Sequence, residues 1–303
     1  MVTPRSPQPY DPPRRPDARR RSTPITDLDP RAAEIVETAL ERGGLLLVLT
    51  GAGISAASGI PTFRGPEGYW TVGSEVYTPE RLATSATFRR QPEQVWGWYL
   101  WRLGVCRAAA PNAAHEALVE LERLLGERFL LVTQNVDGLH QRAGSSPQRT
   151  YPIHGHLERM RCADACHRDL RPVPEDLPPK DRDEPLTEVE RERLTCPRCG
   201  GWMRPHVLWF DEVYDEEHFR FDSSLRAAEH AALLVTVGTS GATNLPMLIV
   251  QTAVQAGAAL LDVNPDLNPF GELADRLPEG LAVRAPATDA LPALRDHLGA
   301  RSR

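Results

Sequence analysis

The feature that most limits what this chain can fold into is a set of five short apolar runs without polar alternation. They cover residues 45–50, 129–133, 233–237, 258–263 and 281–283. A strand with one wet face alternates apolar and polar residues, so an unbroken run suits a strand buried on both faces of a parallel sheet. Helical apolar spacing lies between the runs, at 30–42, 113–125, 246–255 and 290–298. In the first of these, Ala32, Ile35, Val36, Ala39 and Leu40 share a face, and Gly43-Gly44 ends the pattern. Strands alternating with helices predict an α/β fold, a doubly wound parallel sheet covered on both sides.

Two stretches depart from this rhythm. Residues 1–26 are rich in Pro and Arg and hold too few apolar side chains to build a core, so they are expected to be a disordered tail. Residues 156–206 carry four of the five cysteines and a Pro- and charge-rich segment, which reads as a small module inserted into the larger domain. The expected organisation is therefore 27–155 with 207–299 as one discontinuous domain, 156–206 as the module, and 300–303 as a short tail. No apolar run approaches the roughly 20 residues that span a bilayer. A net charge of −6 lacks the basic face that general nucleic-acid binding needs. Without a secretory signal, the chain is expected in the cytoplasm, as a monomer, with no nucleic-acid or membrane partner.

Cys162-x3-Cys166 and Cys196-x2-Cys199 have the two-pair spacing of a tetrahedral zinc site. Four thiolates fill the coordination shell, so such a zinc is structural and does not activate water. His167, beside Cys166, is an alternative ligand. Cys106 lies in a helical context and is expected to be packed.

Gly51-Ala52-Gly53-Ile54-Ser55-Ala56 follows the first apolar run and fits the G-x-G-x-x-[GA] form, in which glycines let backbone amides approach a pyrophosphate. The acidic residue that an ordinary Rossmann dehydrogenase places about 20 positions on is missing. Thr62, Phe63 and Arg64 follow in a Gly- and Pro-punctuated segment that offers an aromatic ring and a cation to a ligand, though a plain surface loop would read the same. Gln134, Asn135, Val136 and Asp137 end the second run, where open α/β sheets bind ligands. Gly238, Thr239 and Ser240 end the next, and Asn264, Pro265 and Asp266 the one after. His154 is one of nine histidines, singled out only by its position after these motifs.

Together, residues 51–65 (GAGISAASGIPTFRG), 134–137 (QNVD), His154-Gly155, the cysteine pairs, 238–240 (GTS) and Asn264 resemble the sirtuin family, in the family's order and over roughly residues 29–298. Tyr99 and Arg102 match the Tyr-x-x-Arg of its class III branch, and 205–210 resembles that branch's substrate-channel segment. Asn244-Leu245-Pro246 departs from the Val-Tyr-Pro more usual there. The resemblance implies a Rossmann-like fold and NAD-dependent removal of an acyl group from protein lysine, with a structural zinc. It implies phosphate and neighbouring ribose contacts from Gly51, Ala52, Arg64 and Ser240. Gln134 and Asn135 would serve the nicotinamide ribose, Asp137 the carboxamide, and Asn264 with the backbone near Ala287 the adenosine end. The acyl oxygen attacks the ribose, nicotinamide leaves, His154 acts as base toward a ribose hydroxyl, and water completes the reaction. Val207, Leu208, Trp209 and Phe210 would pair with an acylated-lysine peptide by strand addition. Tyr99 and Arg102, three apart on a helix, share a face suited to the far carboxylate of a succinyl, malonyl or glutaryl group. A deacetylase, and a NAD hydrolase or ADP-ribosyltransferase, are the alternatives on the same site.

Overall fold

The computed structural model describes residues 27–62, 79–178, 180–181 and 184–301. Its main sheet contains the strands β1 (Leu45–Thr50), β2 (Phe129–Thr133) and β3 (Thr150–Pro152). A second, smaller sheet follows in the chain: β4 (Gly155–Cys162), β5 (Arg171–Pro172) and β6 (Met203–Val207). The chain then returns to the main sheet with β7 (Ala231–Val237), β8 (Ala259–Val263) and β9 (Gly280–Val283). The main sheet is parallel, in the order β3-β2-β1-β7-β8-β9. Strand order reverses between β1 and β7, and a reversal of this kind opens a ligand crevice at the carboxyl ends of the strands.

The missing alternation has the expected cause. Leu46 and Val48 of β1 point into one core, with the helices Pro30–Glu41, Ala113–Leu125 and Ala287–Arg301. Leu47 and Leu49 point into the other, against the helix Asn244–Gln255 and Phe270. The Pro30–Glu41 helix is started by Asp29, whose carboxylate accepts from the Arg31 and Ala32 N–H groups, with Pro30 at the first helical position. β3 escapes sequence reading because its three residues include a proline, which an edge strand tolerates.

The small sheet is antiparallel, in the order β5-β4-β6. The helix Pro92–Ala108, assigned to the larger domain, packs Trp96, Tyr99 and Leu103 into one core with Leu157, Met160, Met203 and Trp209. Trp96 Nε1 donates to the Met203 carbonyl at 2.7 Å, and Arg107 forms a two-pronged bond with Glu158 at 3.0 and 2.6 Å. The smaller sheet thus shares its core with a helix from outside residues 156–206. No helix among the described residues is long and apolar enough to cross a membrane.

Candidate active site and metal centre

The carboxyl ends of β1, β2 and β7 meet at the reversal point through glycines. A Cβ on Gly53 would stand 2.6 Å from Gly238 Cα, and one on Gly51 would stand 2.8 Å from the Gly238 carbonyl oxygen. The two loops touch backbone to backbone, and Gly53 N–H donates to Gly238 O at 2.8 Å. After Gly51 the chain winds into a tight helix, Ala52–Ser58, which buries Ile54 and Ser55 and leaves Ala56 exposed.

The side chains from β2 are held on several sides. Gln134 Nε2 donates to Thr239 Oγ1 at 2.8 Å and to Thr50 O at 3.3 Å, while Gln134 Oε1 accepts from Thr243 Oγ1 at 3.0 Å. The Gln134 amide thus ties three strand ends together. Asn135 Nδ2 donates to Ser55 Oγ at 3.0 Å. Ser55 Oγ in turn donates to Asp137 Oδ2 at 2.8 Å, and Asp137 Oδ1 accepts from Leu139 N–H at 2.9 Å. Burial pushes the Asp137 carboxyl up, against these bonds and the charges of Arg142 and Arg102. Val136 is half-buried and packs against the smaller unit's core. Asn264 Nδ2 donates to Thr239 O at 3.1 Å, and its oxygen accepts from Asp266 N–H at 3.2 Å. Ser240 and Pro265 are exposed, Thr62 is half-buried, and Ala287 begins the last helix as a buried residue. Phe63 and Arg64 lie outside the described residues.

His154 sits between β3 and β4. Its Nδ1 donates to the Gln134 carbonyl at 3.0 Å, and its Nε2 lies 2.8 Å from Tyr214 Oη. Burial pushes the imidazole down to about 4, so it is neutral at working pH with a lone pair on Nε2. Gly155 follows at φ +86°, with the place of a Cβ filled by the His206 carbonyl, so only glycine lets the chain turn from His154 into β4.

Tyr99 and Arg102 are both buried on one face of the Pro92–Ala108 helix. The Arg102 guanidinium stands 4.7 Å from the Trp98 ring centre, and Tyr99 Oη accepts from Trp209 Nε1 at 2.9 Å. The 207–210 segment is tied back into the chain. Val207 is paired with Gly155, and the N–H groups of Leu208, Trp209 and Phe210 donate to His154 O, Glu212 Oε2 and Ala83 O. Trp209 supports Tyr99 from inside the core, while Phe210 is exposed. Ser55, Tyr214 and Thr243 were not singled out in the sequence. Ser55 stood inside a named motif, but nothing in the local sequence marked the other two.

The sulfurs of Cys162, Cys166, Cys196 and Cys199 lie within 4.8 Å of one another, with Cys162–Cys199 at 3.7 Å and Cys166–Cys196 at 3.6 Å. Zinc–sulfur bonds of ~2.3 Å in a tetrahedron place sulfurs about 3.8 Å apart, so the four thiols fit a structural zinc. His167 Nε2 lies 3.4 Å from Cys196 Sγ, a hydrogen bond to a ligand and not a replacement for one. Cys106 is packed as expected, its thiol pushed up to about 12 by burial.

A dinucleotide-binding α/β enzyme, with a neutral histidine beside the crevice and a zinc kept for structure, is the class that this arrangement defines. Comparison with known proteins agrees. A model of the Sir2 family matches residues 51–244. An NAD-dependent protein deacylase of Thermus thermophilus is 42% identical over 258 residues, 84% of this chain and 91% of its own. Another, from Leptospira interrogans, is 39% identical over 235 residues, 77% of this chain and 86% of its own. The crystal structure of a Sir2 homologue–NAD complex superposes with a TM-score of 0.73 at 34% identity, covering 91% of this chain and 97% of that one. A Sir2–p53 peptide–NAD+ complex superposes at 0.68 with 26% identity, covering 88% and 98%. The chain belongs to the Sir2 family.

Proposed function

We infer that this NAD-dependent protein deacylase removes acidic acyl groups (succinyl, malonyl or glutaryl) from protein lysine, releasing nicotinamide and O-acyl-ADP-ribose. The observation that carries the reading is the buried pair Tyr99 and Arg102. The guanidinium is backed by Trp98, and the phenol is fixed by Trp209. A fixed cation beside a phenol, out of bulk water, suits the terminal carboxylate of a dicarboxylic acyl chain. An acetyl group has no second carboxylate for that pair to hold.

NAD supplies the ribose carbon that the acyl oxygen attacks. In this reading the Gly51–Gly53 and Gly238–Ser240 turns offer backbone groups to its phosphates, Asn135 serves the nicotinamide ribose and Asp137 the carboxamide. Asn264, with the segment around Pro265, Asp266 and Ala287, faces the adenosine. His154 accepts a ribose hydroxyl proton at Nε2, and the Gln134 carbonyl steadies the imidazolium through Nδ1–H. The p53 peptide complex of the related Sir2 protein supports a peptide as the carrier of the acyl-lysine.

The test compares kcat/KM on one peptide carrying succinyl-lysine or acetyl-lysine, with NAD, for the wild type and Arg102→Met. A succinyl preference that falls by about two orders of magnitude in the variant is expected, the loss of a buried charge pair. An acetyl preference untouched by the substitution would leave a deacetylase in which Arg102 only packs.

A further inference from the structure

Tyr214 belongs to none of the motifs, yet its hydroxyl is 2.8 Å from the one nitrogen of His154 that can act as a base. The two partners of the imidazole differ in kind. A carbonyl only accepts, so Nδ1 carries the proton that goes to Gln134 O and Nε2 presents its lone pair. A phenol facing that lone pair must donate. Burial pushes the Tyr214 hydroxyl up, so its proton is in place at neutral pH. The ring lies 6.4 Å from Phe221 at the edge of the main core, while Val213 beside it is 83% exposed and residues 212–215 carry no regular structure. An imidazole nitrogen has a single lone pair. Tyr214 and a ribose hydroxyl therefore cannot donate to it together.

We propose that Tyr214 is a positioning residue for His154: its phenol holds the ring in the Nδ1–H tautomer, opposes protonation at Nε2, and yields that place to the ribose hydroxyl when NAD binds. This rests on the reading of His154 as the base. Among the described residues, the titratable groups on the neighbouring segments have partners of their own. Asp137 is held by Ser55 and Leu139, and Asp211 accepts from the Ser85 and Ala86 N–H groups. Glu212 pairs with Arg204, Asp215 bonds His218, and His156 Nδ1 accepts from Glu158 N–H. Only Tyr214 among these groups bonds the His154 ring.

The experiment measures pH profiles of kcat/KM and kcat for the wild type, Tyr214→Phe and His154→Ala, with an isotope-edited titration of the His154 ring in the first two. In Tyr214→Phe the acid limb of kcat/KM, which reports the free enzyme, moves up by about half to one pH unit, and the ring titration moves with it. The limb of kcat, which reports the NAD complex, stays in place, and KM for NAD falls about two- to fivefold because nothing has to be displaced. Superimposed kcat/KM profiles with an unmoved ring titration overturn the proposal. So does a loss of kcat with both limbs unmoved, which would place the phenol in the reacting complex. A His154→Ala enzyme that keeps turning over would sink the base assignment instead, and the ring titration would still decide the Tyr214 bond. Tyr214→Leu repeats the measurement if the Phe variant unfolds below the assay temperature.

Discussion

Ser55 Oγ donates to Asp137 Oδ2 at 2.8 Å, joining the glycine motif after β1 to the acidic residue after β2. The same oxygen accepts from Asn135, so one hydroxyl sets the orientation of two side chains assigned to the nicotinamide end.

Removing that hydroxyl leaves the fold but loosens both partners. Ser55→Ala is expected to lower kcat/KM for NAD by about ten- to a hundredfold, the loss of a buried hydrogen bond to a charged group. Steady-state kinetics with a melting curve separate this from unfolding. An unchanged kcat/KM would mean that Asn135 and Asp137 are held by other contacts.

His154→Ala is expected to abolish turnover while NAD still raises the melting temperature, because the histidine acts on a bound ribose and does not carry the phosphates. Differential scanning with and without NAD, beside an activity assay, checks both halves. Loss of the NAD-dependent shift would place His154 in binding.

The zinc site joins two arms of the small unit, Cys162 at the end of β4 and Cys196 before β6. Stripping the metal with a chelator is therefore expected to lower the melting temperature and loosen the small unit, with activity falling as a consequence. Activity that falls at an unchanged melting temperature would give the metal a role in the chemistry.

Burial pushes His115 and His154 down to about 4, and His206 to about 3, below the ordinary value of 6.5. Between pH 6.5 and 4 the unfolded chain takes up these protons and the folded chain does not. Their stabilising contribution is thus full above 6.5 and is lost as pH falls. Each costs up to about 1.4 kcal/mol per pH unit in that window. Melting temperatures should hold from pH 7.5 to about 6.5 and decline from there to pH 5; a profile that stays flat down to pH 5 would mean that these rings are solvated.

Gly53→Ala is expected to disrupt the site by steric means alone. Its methyl would meet the Gly238 backbone at 2.6 Å, and that backbone cannot retreat from a strand end. Loss of NAD-dependent stabilisation together with a lowered melting temperature is the outcome to measure.

The apolar runs determined the parallel sheet, since a strand packed on both faces has no place for alternating polar residues. The thiol spacing likewise announced the metal site, and contiguous motifs announced the dinucleotide crevice. These are local patterns, each written within a few neighbouring residues. Tertiary structure alone decided the rest. It brought the Pro92–Ala108 helix into the smaller unit and turned Trp209 inward to Tyr99. It also used the 208–210 amides within the chain and placed Tyr214, 60 residues away in sequence, on the His154 lone pair. The physical reason is that a side chain's partner is set by which segments fold against it, and residues so far apart carry no shared periodicity to reveal the contact.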